Sequence, residues 1–188
     1  MDERVKNSTG IGTPDGTIQV RVSDISQLFD TLDPFPFPQR DLDKDAEEFI
    51  VGWARELPHD KPFKIVVHMP AAELQKHDAK AIRDAMSCYF DYRADVIGRD
   101  LNELFRVGRL SLAIGVTVLA LSFAMTQIIA GVLSNTPLGR FLEESLIIVA
   151  WVANWRPIEI FLYSWWPIVR RRNLYRRLAE AEVELRAY

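Results

Sequence analysis

The sequence predicts an α-helical membrane hairpin of two transmembrane helices with a small cytosolic α/β domain, of β-α-β-α order, on its N-terminal side. Three observations predict it. Leu110–Leu133 runs for 24 residues without a charged side chain, enough helix to cross a hydrocarbon core of about 30 Å. Leu146–Val169 is a second apolar run. The residues before Leu110 are polar and acidic on balance, and they alternate between strand-like and helix-like patterns.

Residues 1–16 hold Gly10, Gly12, Pro14 and Gly16 and no apolar core. They read as a disordered tail rather than a secretory signal. The α/β domain is expected over 17–70. Ile18, Val20 and Val22 alternate with Gln19 and Arg21, the pattern of a half-buried strand. Asp33-Pro-Phe-Pro-Phe-Pro38 has three prolines, so it is an extended loop whose Phe35 and Phe37 are candidate contacts. Asp41 or Asp43 then caps a helix, with Asp45, Glu47 and Glu48 near its positive end. Phe49, Ile50, Trp53 and Leu57 form its apolar face and Pro58 ends it. Phe63–Met69 reads as a buried strand, and Pro70 suits the start of another helix. If the two strands are neighbours and parallel, the crossover between them is right-handed.

A long connecting helix is expected over 71–109. Its apolar residues recur at helical spacing through Ile82, Met86, Tyr89, Ile97 and Leu101, with a gap around Arg93. The first span is 110–133, followed by an external loop over 134–145, a second span over 146–169 and a basic amphipathic cytosolic tail over 170–188. Arg99, Arg106 and Arg109 precede span one, and Arg170, Arg171, Arg172, Arg176 and Arg177 follow span two. This bias places both termini in the cytoplasm. The five C-terminal arginines either fix topology or hold anionic lipid headgroups.

Span two contains the candidate site: Asn154, Arg156, Pro157 and Glu159. Counted from Leu146, Arg156 lies roughly 15 Å into the helix, near the midplane, where a charge costs on the order of 3 kcal/mol. Arg156 and Glu159 share a helix face. Pro157 withholds a donor from the Ala153 carbonyl, which Arg156 or Asn154 could supply. The pair is a gate, an ion path, an anion contact or a structural clasp. Ser111-x-x-x-Gly115 and Ala120-x-x-x-Ala124 fit close helix approach.

Other chemistry is sparse. The chain has a net charge of -3, which argues against a nucleic-acid partner. Cys88 is its one cysteine, so no intrachain disulfide forms. His59, His68 and His77 lack ligand spacing. Asp41-Leu-Asp-Lys-Asp45 begins like a calcium loop, but Ala46 stands where glycine is needed. No catalytic residue, metal site or cofactor is expected, and the chain reads as a non-enzyme.

Two elements carry a resemblance. Asp33-Pro-Phe-Pro-Phe37 with Arg40-Asp-Leu-Asp43, and Trp155-Arg-Pro-Ile-Glu159 with Leu162-Tyr-Ser-Trp-Trp-Pro167, resemble an uncharacterised family of bacterial inner-membrane proteins. The resemblance covers roughly residues 17–180. It implies a bacterial inner-membrane location, two spans and a small cytosolic domain, and no activity. The expected function is a homo-oligomeric channel-like or scaffold assembly in contact with membrane lipids. The alternative is an accessory subunit of a larger membrane complex, with Phe35, Phe37 and Trp53 as partner contacts.

Overall fold

The computed structural model describes residues 16–30, 40–58, 62–76, 78–133 and 136–188. The expected tail, the Phe35/Phe37 loop, His59 and His77 lie outside them, apart from Gly16. The chain forms two compact units, residues 1–96 with 170–188, and 97–169.

The first unit is built on a three-stranded parallel sheet. β1 (Thr17–Arg21) buries Ile18 and Val20, as the alternation predicts. β2 (Lys64–Met69) is central and pairs with β1 from Thr17↔Lys64 to Arg21↔His68. Between them, α1 (Lys44–Glu56) starts at Asp43, whose side chain accepts from the Asp45 amide. Its buried face is Ala46, Ile50, Val51 and Ala54. Phe49 and Trp53 are only half-buried and meet edge to face at 6.3 Å, so the core-facing stripe is rotated from the expected one.

The third strand was not expected. Residues 170–188, read from sequence as a basic tail, continue as helix and then form β3 (Glu182–Ala187), parallel to β2. Clustered arginines dominate that sequence and mask its apolar positions. Tyr175, Leu178 and Val183 are nonetheless buried. The connecting helix also differs. α2 (Ala71–Lys76) is a separate short helix, and α3 (Ala79–Val132) restarts where the Asp78 carboxylate accepts from the Lys80 amide. A local cap breaks the helix there without glycine or proline. α3 continues unbroken through the expected boundary at 109/110. In the first unit it buries Ile82, Ala85, Met86, Tyr89, Phe90 and Ala94.

The second unit is a helical hairpin of α3 and α4 (Pro137–Glu159). α4 begins nine residues before the expected start of span two, because Thr136 caps it through the Gly139 amide and Pro137 fits its first turn. Most of the expected external loop is therefore helix. A π-helical segment, Ile160–Ser164, joins α4 to α5 (Trp165–Ala179). From Leu101 onward, the buried residues of α3 are Leu101, Gly108, Gly115, Ser122 and Ile129. They stand one heptad apart, a coiled-coil-like seam. α4 answers with Gly139, Ala150 and Pro157. Both α3 and the helical run Pro137–Ala179 are long and apolar enough to cross a membrane.

Candidate functional site

Arg156 Nη1 donates to Glu159 Oε2 at 3.0 Å, one turn along the same helix. The two side chains are 64% and 46% exposed. The pair therefore lies on the outer surface of the hairpin, while Pro157 between them is buried in the seam. Neither Arg156 nor Asn154 turns to the Ala153 carbonyl. Asn154 Nδ2 donates to the Ala150 carbonyl at 2.8 Å and across the hairpin to the Gly115 carbonyl at 3.1 Å. The glycine of Ser111-x-x-x-Gly115 thus makes the close approach, whereas Ala120 and Ala124 stay exposed.

The helix register changes where the charges sit. Gly115 faces Asn154, and Gly108 faces Ile160. Interpolation sets Arg156 level with Leu112–Ala113 and Glu159 level with Arg109. Along α3 the charged pair is thus level with the start of the apolar run that begins at Leu110, Glu159 beside Arg109 and Arg156 two to three residues further in. Level with the middle of that run, near Ser122, stand Leu146 and Ile147, which with Ser122 border an apolar groove of about 460 Å³.

Pro157 removes one amide and Pro167 another, and the π-helical turn falls between them. The Ile160 amide is shared between the Arg156 and Pro157 carbonyls. Ser164 Oγ donates to the Glu159 carbonyl at 3.3 Å and Trp165 Nε1 to that of Phe161 at 3.0 Å. Both side chains thus donate to backbone carbonyls around the π-helical turn.

The C-terminal arginines are not equivalent. Arg177 donates to the Pro58 carbonyl at 3.2 Å and lies 4.0 Å over the Phe63 ring, so it is part of the fold. Arg171 lies 5.7 Å from the Tyr175 ring centroid. Arg172 is half-buried, and Arg170 and Arg176 are exposed. Trp53 is half-buried against Phe49.

A second polar cluster lies in the first unit. The Glu47 carboxylate accepts from Tyr175 Oη at 2.6 Å, Tyr89 Oη at 2.7 Å and Arg93 Nε and Nη2 at 3.1 Å. It ties α1 to α3 and α5. Burial pushes the carboxyl up, but the hydrogen bonds from Tyr175 and Tyr89 and the Arg93 charge outweigh it and hold Glu47 below its ordinary value. Burial, reinforced by the Glu47 charge, raises both phenols, so the tyrosines stay protonated as donors. Sequence reasoning treats Glu47 only as a helix-end charge. The gap at Arg93 was the available signal, because a cation four residues after Tyr89 and four before Ile97 faces the core and needs a partner.

Among the described residues, no three His, Cys, Asp or Glu side chains are grouped to hold a metal ion. No family model matches the chain, and neither the curated proteins nor the solved structures contain a match.

Proposed function

We propose that the chain is a two-span bacterial inner-membrane protein that self-associates into a homo-oligomeric scaffold displaying its α/β domain in the cytoplasm. One observation carries this reading. The hairpin completes its own seam yet leaves Leu110, Leu121, Phe123, Trp151, Val152 and many other large apolar side chains exposed, and only 17% of each apolar window is buried. A patch of that extent is a membrane or protein contact. Lipid suits the apolar side chains. The exposed Arg156–Glu159 pair is better served by another protein surface, and one hairpin is too small to cover it. An ion pair closed within one turn cancels most of the field a pore-lining charge would exert, which favours a scaffold over a channel.

Connectivity and charge support one orientation. Both ends of the hairpin lead into one domain, because β3 pairs with β2, so the chain crosses an even number of times. The arginines at 99, 106, 109 and 170–177 favour the cytoplasmic side for that domain. Exposed Arg170 and Arg176 are free to meet anionic headgroups.

Native mass spectrometry in lipid nanodiscs tests the reading. The expected result is one discrete oligomer that weakens in the double variant Arg156→Ala/Glu159→Ala. A monomer under all lipid conditions overturns it. The accessory-subunit alternative is favoured by the apolar groove beside Ser122 and Asn154, which a foreign helix could fill. Repeated recovery of one larger complex from detergent would select it.

A further inference from the structure

β3 is an edge strand. The amides of Glu182 and Tyr188 donate to the Phe63 and Met69 carbonyls on the β2 side at 3.0 and 3.2 Å. By the period of two, Glu184 and Arg186 face β2 as well. The backbone groups of Val183, Leu185 and Ala187 therefore point away, and no fourth strand meets them among the described residues. An open edge is a template for another strand unless it is blunted by a proline, a bulge or charge. Glu182–Ala187 contains no proline, pairs with β2 without interruption, and carries both signs of charge.

We propose that β3 pairs antiparallel with β3 of a second copy across a two-fold axis at Leu185, forming the domain-side contact of the homo-oligomer, on whose existence it rests. A two-fold axis perpendicular to a strand makes that strand antiparallel to its own copy, and such a contact closes on itself. Only residues 183, 185 and 187 can form the hydrogen-bonded pairs, which restricts the registers to steps of two. Pairing Leu185 with Val183 of the copy sets Glu184 against Glu184. Pairing Leu185 with Ala187 sets Arg186 against Arg186. Pairing Leu185 with itself sets Glu184 opposite Arg186 of the copy, twice, with no like charges opposed.

The side chains suit that register. Glu184 already accepts from Lys64 and Arg186 at 2.9 Å, and Arg186 is 56% exposed. A guanidinium has five N–H donors, so Arg186 can hold its own Glu184 and reach the copy's. On the other face Leu185 is half-buried and Ala187 exposed. The two edges would cover these residues mutually.

Cross-linking of the full-length chain in nanodiscs, in a Cys88→Ser background, tests the contact. Hydrogen-bonded antiparallel partners have Cα atoms about 5.5 Å apart, within disulfide reach. Leu185→Cys should therefore form a disulfide dimer. Glu182→Cys should not, because it stands six residues from its copy along the strand, about 20 Å. Adding Arg186→Glu, which opposes acid to acid, should slow the cross-link at 185 at least tenfold. Equal cross-linking at 182, or none of this slowing, overturns the proposal. Should Leu185→Cys fail to fold, a spin label on Glu182→Cys reads the same geometry, and a distance far from 20 Å overturns it. A discrete oligomer by mass with no cross-link at 185 rejects this contact alone; a monomer rejects the oligomer as well.

Discussion

Glu47 gathers donors from Tyr89, Arg93 and Tyr175, which lie far from it in sequence. Its carboxyl is held below the ordinary value of 4.5, so the folded state binds the proton less tightly than the unfolded chain. The stability it contributes is then complete above about pH 4.5 and is lost as pH falls through the lower folded value. Glu47→Gln removes the ionised acceptor and should cost roughly 1–3 kcal/mol at neutral pH, or about 2–4 °C in Tm for each kcal/mol. The measurement is Tm against pH for both proteins in the same nanodiscs. The curves should converge as pH drops below 4.5, and parallel curves would show that Glu47 does not report this linkage. The apolar stripe flags Arg93 as anomalous, but nothing local to the sequence pairs it with Glu47, because that meeting is made by the packing of α1 on α3.

Among the elements, the α3–α4 seam shows how context reverses the usual effect of a substitution. In an exposed helix, Gly→Ala gains up to about 1 kcal/mol from backbone entropy. A Cβ on Gly131 would meet nothing within 4 Å, so Gly131→Ala should follow that rule. A Cβ on Gly115 would come within 2.7 Å of Asn154 Oδ1 and 3.1 Å of the Ala153 carbonyl oxygen. The first neighbour can turn, but the second is backbone and forces the helices apart. Gly115→Ala should therefore lower the Tm while Gly131→Ala holds or raises it. Asn154→Ala loses only one interhelical hydrogen bond, worth about 0.6 kcal/mol in comparable helices, and should shift the Tm by a few degrees at most. Thermal unfolding of the three variants in one detergent decides this, and a stabilised Gly115→Ala protein would refute the register. The small-xxx-small pattern marks Gly115 as a contact but gives Ala120 and Ala124 equal standing. Only the heptad phase set by Gly108, Ser122 and Ile129 separates them.

For the whole molecule, the two long apolar helices and the strands β1 and β2 are legible because each rests on a local pattern: unbroken apolar length in one case, alternation and a β-branched run in the other. That β1 and β2 pair, and in parallel, is a long-range fact. β3 is legible in principle, since Glu-Val-Glu-Leu-Arg-Ala alternates strictly between polar and apolar residues. Six residues directly after a dense arginine run read as part of a basic tail, and the missing information is the partner, β2. That pairing also makes topology testable with the native chain. Cys88 is exposed in the domain that receives both hairpin ends, and it is the one thiol. With the domain in the cytoplasm, a membrane-impermeant maleimide should fail to label Cys88 in cells with a permeabilised outer membrane, and should label it once the inner membrane is opened. In a Cys88→Ser background, Leu138→Cys at the far turn of the hairpin should react before the inner membrane is opened. Early labelling of Cys88 with protection of Leu138→Cys would invert the orientation. Labelling of both positions before opening would mean that the hairpin does not cross, and the apolar surface of α3 and α4 would then have to be covered by protein alone.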